Sequence, residues 1–365
     1  MLNFAPTDEQ KEIQDLAHGL AVEQLRVQGR AAEKRGDIAP ELMQTLAQTG
    51  LTTPFPEEFG GSGMLEGVTY VLIAEELGFG DGGLAMNIFG SLMGPLTVLL
   101  AGDAQQQEQY IPRFCDERKG YLQHGSLAFA ERMGGYTLAD VRAAVRHEGE
   151  NYVLNGTKRD VLHGSQSSPR VVIARLEGTN ELEGLCALIL PKDVAGVRVS
   201  EDALKLGLIA APSASYLCKN VQVAGTYMLG KAGDSGVIRA ATLYNILRAS
   251  VACGTARAAL EYAMGYAKER MAFGRPIVSY QGIAFMISEM AMKLDAARLL
   301  VWHAATSWDR DEDIEKLVKS AEVAQYQAVK IAKSATIDAV QILGGAGFLQ
   351  DHPVEMWMRN AAAME

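Results

Sequence analysis

Tyr266-Ala267-Lys268-Glu269-Arg270-Met271-Ala272-Phe273-Gly274-Arg275-Pro276-Ile277, followed by Gln281 and the run Ile283-Ala284-Phe285-Met286-Ile287-Ser288-Glu289-Met290-Ala291, is the stretch around which the rest of the chain is organised. A helix is expected to close at Phe273-Gly274, Pro276 prevents its continuation, and a new helix opens a few residues later. Arg270 is then expected in the last turn of one helix and Gln281 in the first turn of the next. An arginine fork there suits a diphosphate, and a glutamine amide suits a ribose or phosphate. The alternative is an arginine that merely complements the helix dipole. Beyond this break, Ile283, Ile287, Met290, Leu294, Ala297 and Val301 step by fours and threes, the stripe of a helix-bundle seam.

Working outward, long helical patterns begin near Ser235, so residues 231–365 read as a C-terminal four-helix bundle. Upstream the period shortens. Tyr152-Val153-Leu154, Val171-Val172-Ile173-Ala174, Cys186-Ala187-Leu188-Ile189-Leu190 and Val221-Gln222-Val223 are short strand-type runs separated by turn residues. Residues 121–230 are therefore expected to form a middle β-domain, an antiparallel barrel or sandwich, with Asn155-Gly156-Thr157 read as a hairpin turn and not as a glycosylation site. Residues 1–120 are helical in pattern. Thr7-Asp8-Glu9-Gln10 offers an N-cap, and breaks fall at Gly60-Gly61-Ser62-Gly63 and Gly80-Asp81-Gly82-Gly83. The fold class is α+β multidomain: N-terminal helices, central β-domain, C-terminal bundle.

Composition narrows the function. The 365 residues are 48% hydrophobic and 21% charged, with a formal net charge of −10. That acidity argues against nucleic acid as a partner. No run approaches the roughly 18 apolar residues of a membrane span, and the first residues lack a secretory pattern, so no membrane is expected and the compartment reads as cytoplasmic. Cys115, Cys186, Cys218 and Cys253 are widely spaced and read as buried thiols. His18, His124, His147, His163, His303 and His352 show no ligand-like pairing, so no metal is expected.

Gly344-Gly345-Ala346-Gly347 ends a helix pattern, follows no strand and lacks GxGxxG spacing, which argues against a Rossmann site. Its glycines permit close approach of a ligand, or serve as a helix C-cap. Motifs for P-loop phosphate binding, zinc hydrolysis and serine hydrolysis are missing.

Taken together, these segments resemble the acyl-CoA dehydrogenase family, with its YAxxRxxFGxPIxxxQ signature followed by QxxGGxG and a YPxERxxRDA-like segment. Here they stand as Tyr266 to Gln281, Gln341 to Gly347 and His352 to Ala361. Pro56-Glu57-Glu58-Phe59-Gly60-Gly61-Ser62-Gly63, Glu75-Glu76-Leu77-Gly78, Tyr152 to Lys158 and Lys205-Leu206-Gly207 add to the match, which covers essentially the whole chain. The resemblance implies FAD-dependent α,β-dehydrogenation of an acyl-CoA thioester, with electrons passed to an electron-transferring flavoprotein. By position, Arg270, Phe273 and Gln281 would grip FAD from one subunit, and Gln341, Gly344 and Gly345 would reach the adenosine side of a neighbour's cofactor. A homotetramer, or a heterotetramer with a related subunit, is implied. Arg248 and Asn245 match the substrate pocket; Arg248 could instead be a buried helix-packing residue.

Departures from the family pattern sit on the flavin side. The loop usually TEPxAGSD-like is Ala130-Glu131-Arg132-Met133-Gly134-Gly135-Tyr136-Thr137, with Ala130 replacing a flavin-bonding threonine and Tyr136 a small serine near the substrate. The Trp-Ile-Thr-Asn-like segment is Asp160-Val161-Leu162-His163, so at Ala130 and Leu162 only backbone amides remain to serve the flavin. The general-base glutamate is expected just beyond Glu365; Glu365 itself falls about a turn early. Arg132 or Arg248 could meet a carboxylate on the acyl group. The alternative function is a catalytically silent or cofactor-sharing subunit of a heteromeric acyl-CoA dehydrogenase, and a DNA-associated branch of the family would want a basic C-terminal face that this acidic chain does not advertise.

Overall fold

The structure, a computed structural model, describes residues 5–63, 65–132, 135–179, 181–201 and 204–365. Helix α1 (Asp8–Leu20) starts at a capping box: Thr7 Oγ1 accepts from the Gln10 amide, and the Gln10 side chain accepts from the Thr7 amide. A π-helical stretch, Ala21–Leu25, leads into α2 (Arg26–Arg35), followed by α3 (Pro40–Gln48), α4 (Gly67–Gly80), α5 (Gly82–Ala101) and α6 (Ala104–Tyr110). Between α4 and α5 the glycine-rich break shrinks to Asp81, an extended residue whose carboxylate caps α5 by accepting from the Leu84 amide. Helix α5 is long and apolar enough to cross a membrane, yet 83% of its most apolar window is buried inside the protein.

Eight strands follow: β1 (Ser126–Ala128), β2 (Ala144–Glu148), β3 (Asn151–Leu162), β4 (Arg170–Leu176), β5 (Leu185–Leu190), β6 (Val197–Glu201), β7 (Ser213–Ala224) and β8 (Met228–Leu229). They form one sheet in the order β6-β7-β3-β2-β4-β5-β8, with β1 beside β4. Against the antiparallel expectation the sheet is mixed, since β1 and β2 both pair with β4 in parallel. The cause is topological. Strand β3 turns back on β2, and the chain then crosses to the other side of β2, so β4 arrives in the direction of β2. Asn155-Gly156-Thr157 is no hairpin turn either. It lies within β3, where the pairing with β7 slips between Leu154 and Gly156, and Gly156, at φ 147°, supplies backbone that L-residues rarely adopt.

Helix α7 (Ser235–Glu269) is buried along most of its length and packs against α4 and α5 on one side and α9 (Ile314–Leu343) on the other. Helices α8 (Gln281–Asp309) and α10 (Val354–Ala363) complete the C-terminal layer. All six residues of the expected α8 stripe are buried or nearly so. The helix break is displaced from its expected place. Helix α7 stops at Glu269 with Arg270 as its extended C-cap, and strands β9 (Met271–Ala272) and β10 (Arg275–Pro276) form a two-residue hairpin. Phe273 and Gly274, both at positive φ (50° and 81°), are its turn, which has the handedness that matches strand twist. Of the cysteines, Cys186, Cys218 and Cys253 are buried, while Cys115 is only partly so.

Candidate functional site

A cavity of about 630 Å³ opens where the helical layers meet the sheet. Tyr136, Leu162, Leu206, Tyr244, Arg248 and Glu365 are on its wall, contributed by the loop after β1, the end of β3, the β6–β7 connection, α7 and the end of α10. Local chemistry holds each wall in place. Lys158, fully buried on β3, donates from Nζ to the Phe129 carbonyl (3.0 Å) and to Glu131 Oε1 (2.7 Å), and Glu131 also accepts from the Arg142 and Ala143 amides. This ties the loop carrying Tyr136 to the sheet. Burial lowers the Lys158 amine's pKa, with the Glu131 carboxylate working against that shift.

Arg248 is the charged centre of the wall. Its guanidinium carbon lies 3.4 Å from the Tyr136 ring centroid and 5.5 Å from that of Tyr244, and Nη2 donates to the Met364 carbonyl at 2.7 Å. Burial opposes its charge, but the flanking tyrosines outweigh burial and raise its pKa above the ordinary value. Both tyrosine hydroxyls are themselves pushed up by burial, so they are neutral donors at physiological pH.

Asn245 is not on the cavity wall. Fully buried, it donates from Nδ2 to the Tyr136 carbonyl at 2.8 Å and so positions that ring. The wall residue beside Arg248 on α7 is instead Tyr244, one turn earlier on the same helix face, a spacing legible in the sequence but not singled out there. Arg132 is also displaced from its expected role: it is exposed and paired with Asp140 at 2.8 Å, beside a separate cleft of about 330 Å³. Met133 and Gly134 of the same loop lie outside the described residues.

Ala130 and Leu162 are buried, Leu162 facing the cavity with its side chain in the space a Cβ at Gly90 would take. Glu365 lines the cavity with its carboxylate paired to Lys333 Nζ.

The other predicted residues form an exposed set. Arg270 and Gln281 flank the β9–β10 hairpin, Phe273 stands at its tip with 97% of its surface exposed, and Gln341, Gly344 and Gly345 lie at the end of α9 and in the turn after it. Among the described residues, the Arg270, Gln281 and Gln341 side chains make no hydrogen bond or ion pair. A Cβ at Gly344 or Gly345 would meet nothing within 4 Å. No group of His, Cys, Asp and Glu suited to a metal occurs among the described residues.

A helical layer, a mixed sheet and a long-helix bundle with a cavity at their junction define an acyl-CoA dehydrogenase-type fold. Comparison with known proteins agrees segment by segment: residues 7–118 match the acyl-CoA dehydrogenase N-terminal domain, 126–221 the middle domain and 234–365 the C-terminal domain. An acyl-CoA dehydrogenase of Bacillus subtilis (strain 168) is 32% identical over 97% of this chain and 93% of its own. The structure of butyryl-CoA dehydrogenase from Megasphaera elsdenii superposes with a TM-score of 0.84 at 27% identity, covering 100% of this chain and 95% of that one. A chain from a structure of the electron transferring flavoprotein of Acidaminococcus fermentans gives 0.84 at 29%, covering 100% and 94%. The chain belongs to the acyl-CoA dehydrogenase family.

The family's activity is FAD-dependent oxidation of CH–CH bonds in acyl-CoA thioesters. The residues present fit FAD: Arg270, Gln281 and Gln341, donors without a side-chain partner among the described residues and beside an open glycine turn, would suit its diphosphate and adenosine. On the ring side the fit rests on the backbone and on the cavity itself, because Ala130 and Leu162 supply only methyl and methylene groups.

Proposed function

We propose that this chain is an acyl-CoA dehydrogenase of the cytoplasm, working in fatty-acid metabolism as a tetramer. Its domains divide near residues 120 and 230. The junction cavity carries this reading: it is large enough for a small ligand group, it joins all three layers, and a buried arginine and a carboxylate stand on its wall.

FAD, when bound, would supply the two-electron acceptor for the β-hydride, with an electron-transferring flavoprotein as the onward acceptor. Arg270, with Gln281 and Phe273, holds the diphosphate side, the guanidinium as a bidentate donor. Gln341, Gly344 and Gly345 serve the adenosine side of a neighbouring subunit's cofactor, and the backbone at Ala130 and Leu162 meets the ring. Arg248 and Tyr136 face the acyl thioester, with Asn245 positioning Tyr136 through its carbonyl. The α-proton leaves to a carboxylate on the side of the cavity that Glu365 lines, and hydrogen bonds to the thioester oxygen stabilise the developing enolate. Assembly is supported by exposed Phe285, Met292 and Leu299, which recur every seven residues along α8, and by Phe273 and Phe348 nearby in sequence to the cofactor residues.

The apolar side chains of Ala130 and Leu162 favour a second reading, in which this chain lends its Arg270 and Gln281 side to a partner's cofactor within a heterotetramer and does no chemistry itself. Flavin counted per chain from the visible spectrum, before and after anaerobic addition of acyl-CoA thioesters, separates the two. About one flavin per chain with bleaching by a thioester is expected. An absence of flavin, or half occupancy that requires a co-expressed relative, would establish the supporting subunit.

A further inference from the structure

The loop between β1 and β2, which carries Tyr136, is not held by strand pairing. From Gly135 to Val141 its described backbone closes only local turns, among them Asp140 to Thr137 and Val141 to Leu138. Three side chains from distant elements do the rest. Asn245 on α7 donates to the Tyr136 carbonyl at 2.8 Å, and Arg175 on β4 donates to the Leu138 and Val141 carbonyls at 3.1 and 3.2 Å. From α9, Glu322 Oε1 accepts from the Leu138 amide at 2.9 Å, across 184 positions of sequence. Leu138 is buried, so an amide left there without an acceptor is costly.

Glu322 is an expensive residue for its place. It is half-buried, burial raises the pKa of its carboxyl, the Asp140 carboxylate adds to that shift, and the Leu138 amide works against both. No cation pairs with it among the described residues, so the loop amide is what the carboxylate gains. We propose that Glu322 is a positioning residue for the acyl end of the cavity: by holding Leu138 it fixes Tyr136, two residues earlier, on the cavity wall. Asn245 grips the carbonyl side of Tyr136, and Glu322 grips the chain just beyond it, so the ring is set from two helices at once. Helix α9 then serves the site at three levels, with Glu322 on the loop, Ile337 on the cavity wall and Gln341 on the ledge. This rests on the dehydrogenase reading above, in which Tyr136 faces the acyl thioester.

The test is calorimetric binding of an S-alkyl-CoA thioether, which has no oxidisable acyl group, to the full flavin-loaded chain. Glu322→Ala is expected to weaken binding about fivefold to tenfold, the worth of one hydrogen bond. Glu322→Gln, whose amide oxygen still accepts from Leu138, is expected to stay within about twofold of the parent. In a Tyr136→Ser background the same Glu322→Ala change is expected to cost less than about twofold, because the residue it acts through is gone. A merely structural tether moves the unfolding midpoint and leaves affinity alone, so unchanged affinity in Glu322→Ala overturns the proposal and leaves the dehydrogenase reading standing. A full loss that persists without Tyr136 overturns the assignment to Tyr136. Binding of no thioether by the parent overturns both readings. Should Glu322→Ala not fold, amide exchange in the parent decides: by reciprocity the thioether is expected to slow exchange over residues 137–141 about fivefold to tenfold, and unchanged exchange overturns the proposal.

Discussion

The two ends of the site are built in opposite ways. At the cavity end, Leu162, Tyr136, Tyr244 and Arg248 are buried and belong to the core as much as to the site, so a side chain there answers to packing and pH. At the ledge around the β9–β10 hairpin, Arg270, Phe273, Gln281 and Gln341 are exposed, and no described residue bonds the side chains of the polar ones. A polar residue without an intramolecular partner costs the fold little to replace, so its purpose is visible only through a ligand. A buried one is under two constraints at once, and the departures from the family pattern fall on this buried end.

The largest effect expected of this contrast is on pH-dependent stability, which should be confined to the buried end. His163, next to Leu162, stacks on His124 at 4.3 Å, bonds the Asn87 carbonyl at 3.0 Å, and is pushed down by burial to about 4 from an ordinary 6.5. The unfolded chain binds the proton first, so the stability that neutral His163 contributes is complete above pH 6.5 and is lost as pH falls toward 4, by about 3 kcal/mol. Asp81 runs the other way. Burial pushes its carboxyl up to about 6 from 3.8, so its contribution is complete below about pH 4 and is lost as pH rises to 6. In the parent the two slopes oppose each other between pH 4 and 6. His163→Asn, which keeps a residue tolerant of the left-handed φ of 56° found there, should uncover the Asp81 slope. Urea midpoints at several pH values check this; a variant still stabilised by rising pH across that window would break the comparison.

Leu162→Thr comes next. It removes buried methyl groups and buries a hydroxyl beside the cavity, and a loss of about 2 kcal/mol is expected in urea unfolding. Flavin retained on gel filtration should nevertheless rise, because the new hydroxyl faces the ring side. A fall in both would mean that this wall never meets a flavin. On the ledge the signs are reversed. Arg270→Ala should weaken FAD binding about tenfold to a hundredfold in titrations of the apoprotein, while leaving the unfolding midpoint within roughly 0.5 kcal/mol of the parent.

Legibility in the sequence followed the same division. Long helices were readable because α7, α8 and α9 carry their own periodicity and the α1 cap is local. The ledge residues were readable because their signature is contiguous from Tyr266 to Gln281. What depends on distant pairing was hidden: the bulge at Gly156 exists only against β7, the parallel seating of β4 follows from a crossover, and the contact of Asn245 with Tyr136 joins residues 109 positions apart. The sequence does not separate Tyr244 from Asn245, because a helical stripe shows which residues share a face and not which face meets the cavity. Arg132 was drawn toward the substrate by its charge, and Asp140 eight residues away holds it outside.

The smallest expected effect sharpens the comparison most. Phe273 is bulky, almost fully exposed and held at φ 50° in a two-residue turn whose preferred sequence is Asn-Gly. The ring itself packs on little, being 97% exposed, so Phe273→Asn should stabilise the fold by about 1 kcal/mol or less. If the ring is retained for a ligand or a neighbouring subunit, that gain comes with a measurable loss of flavin affinity or of assembly, read by titration and by analytical ultracentrifugation. A gain in stability with flavin affinity and oligomer size unchanged would remove Phe273 from the ledge and leave Arg270 and Gln281 to carry it.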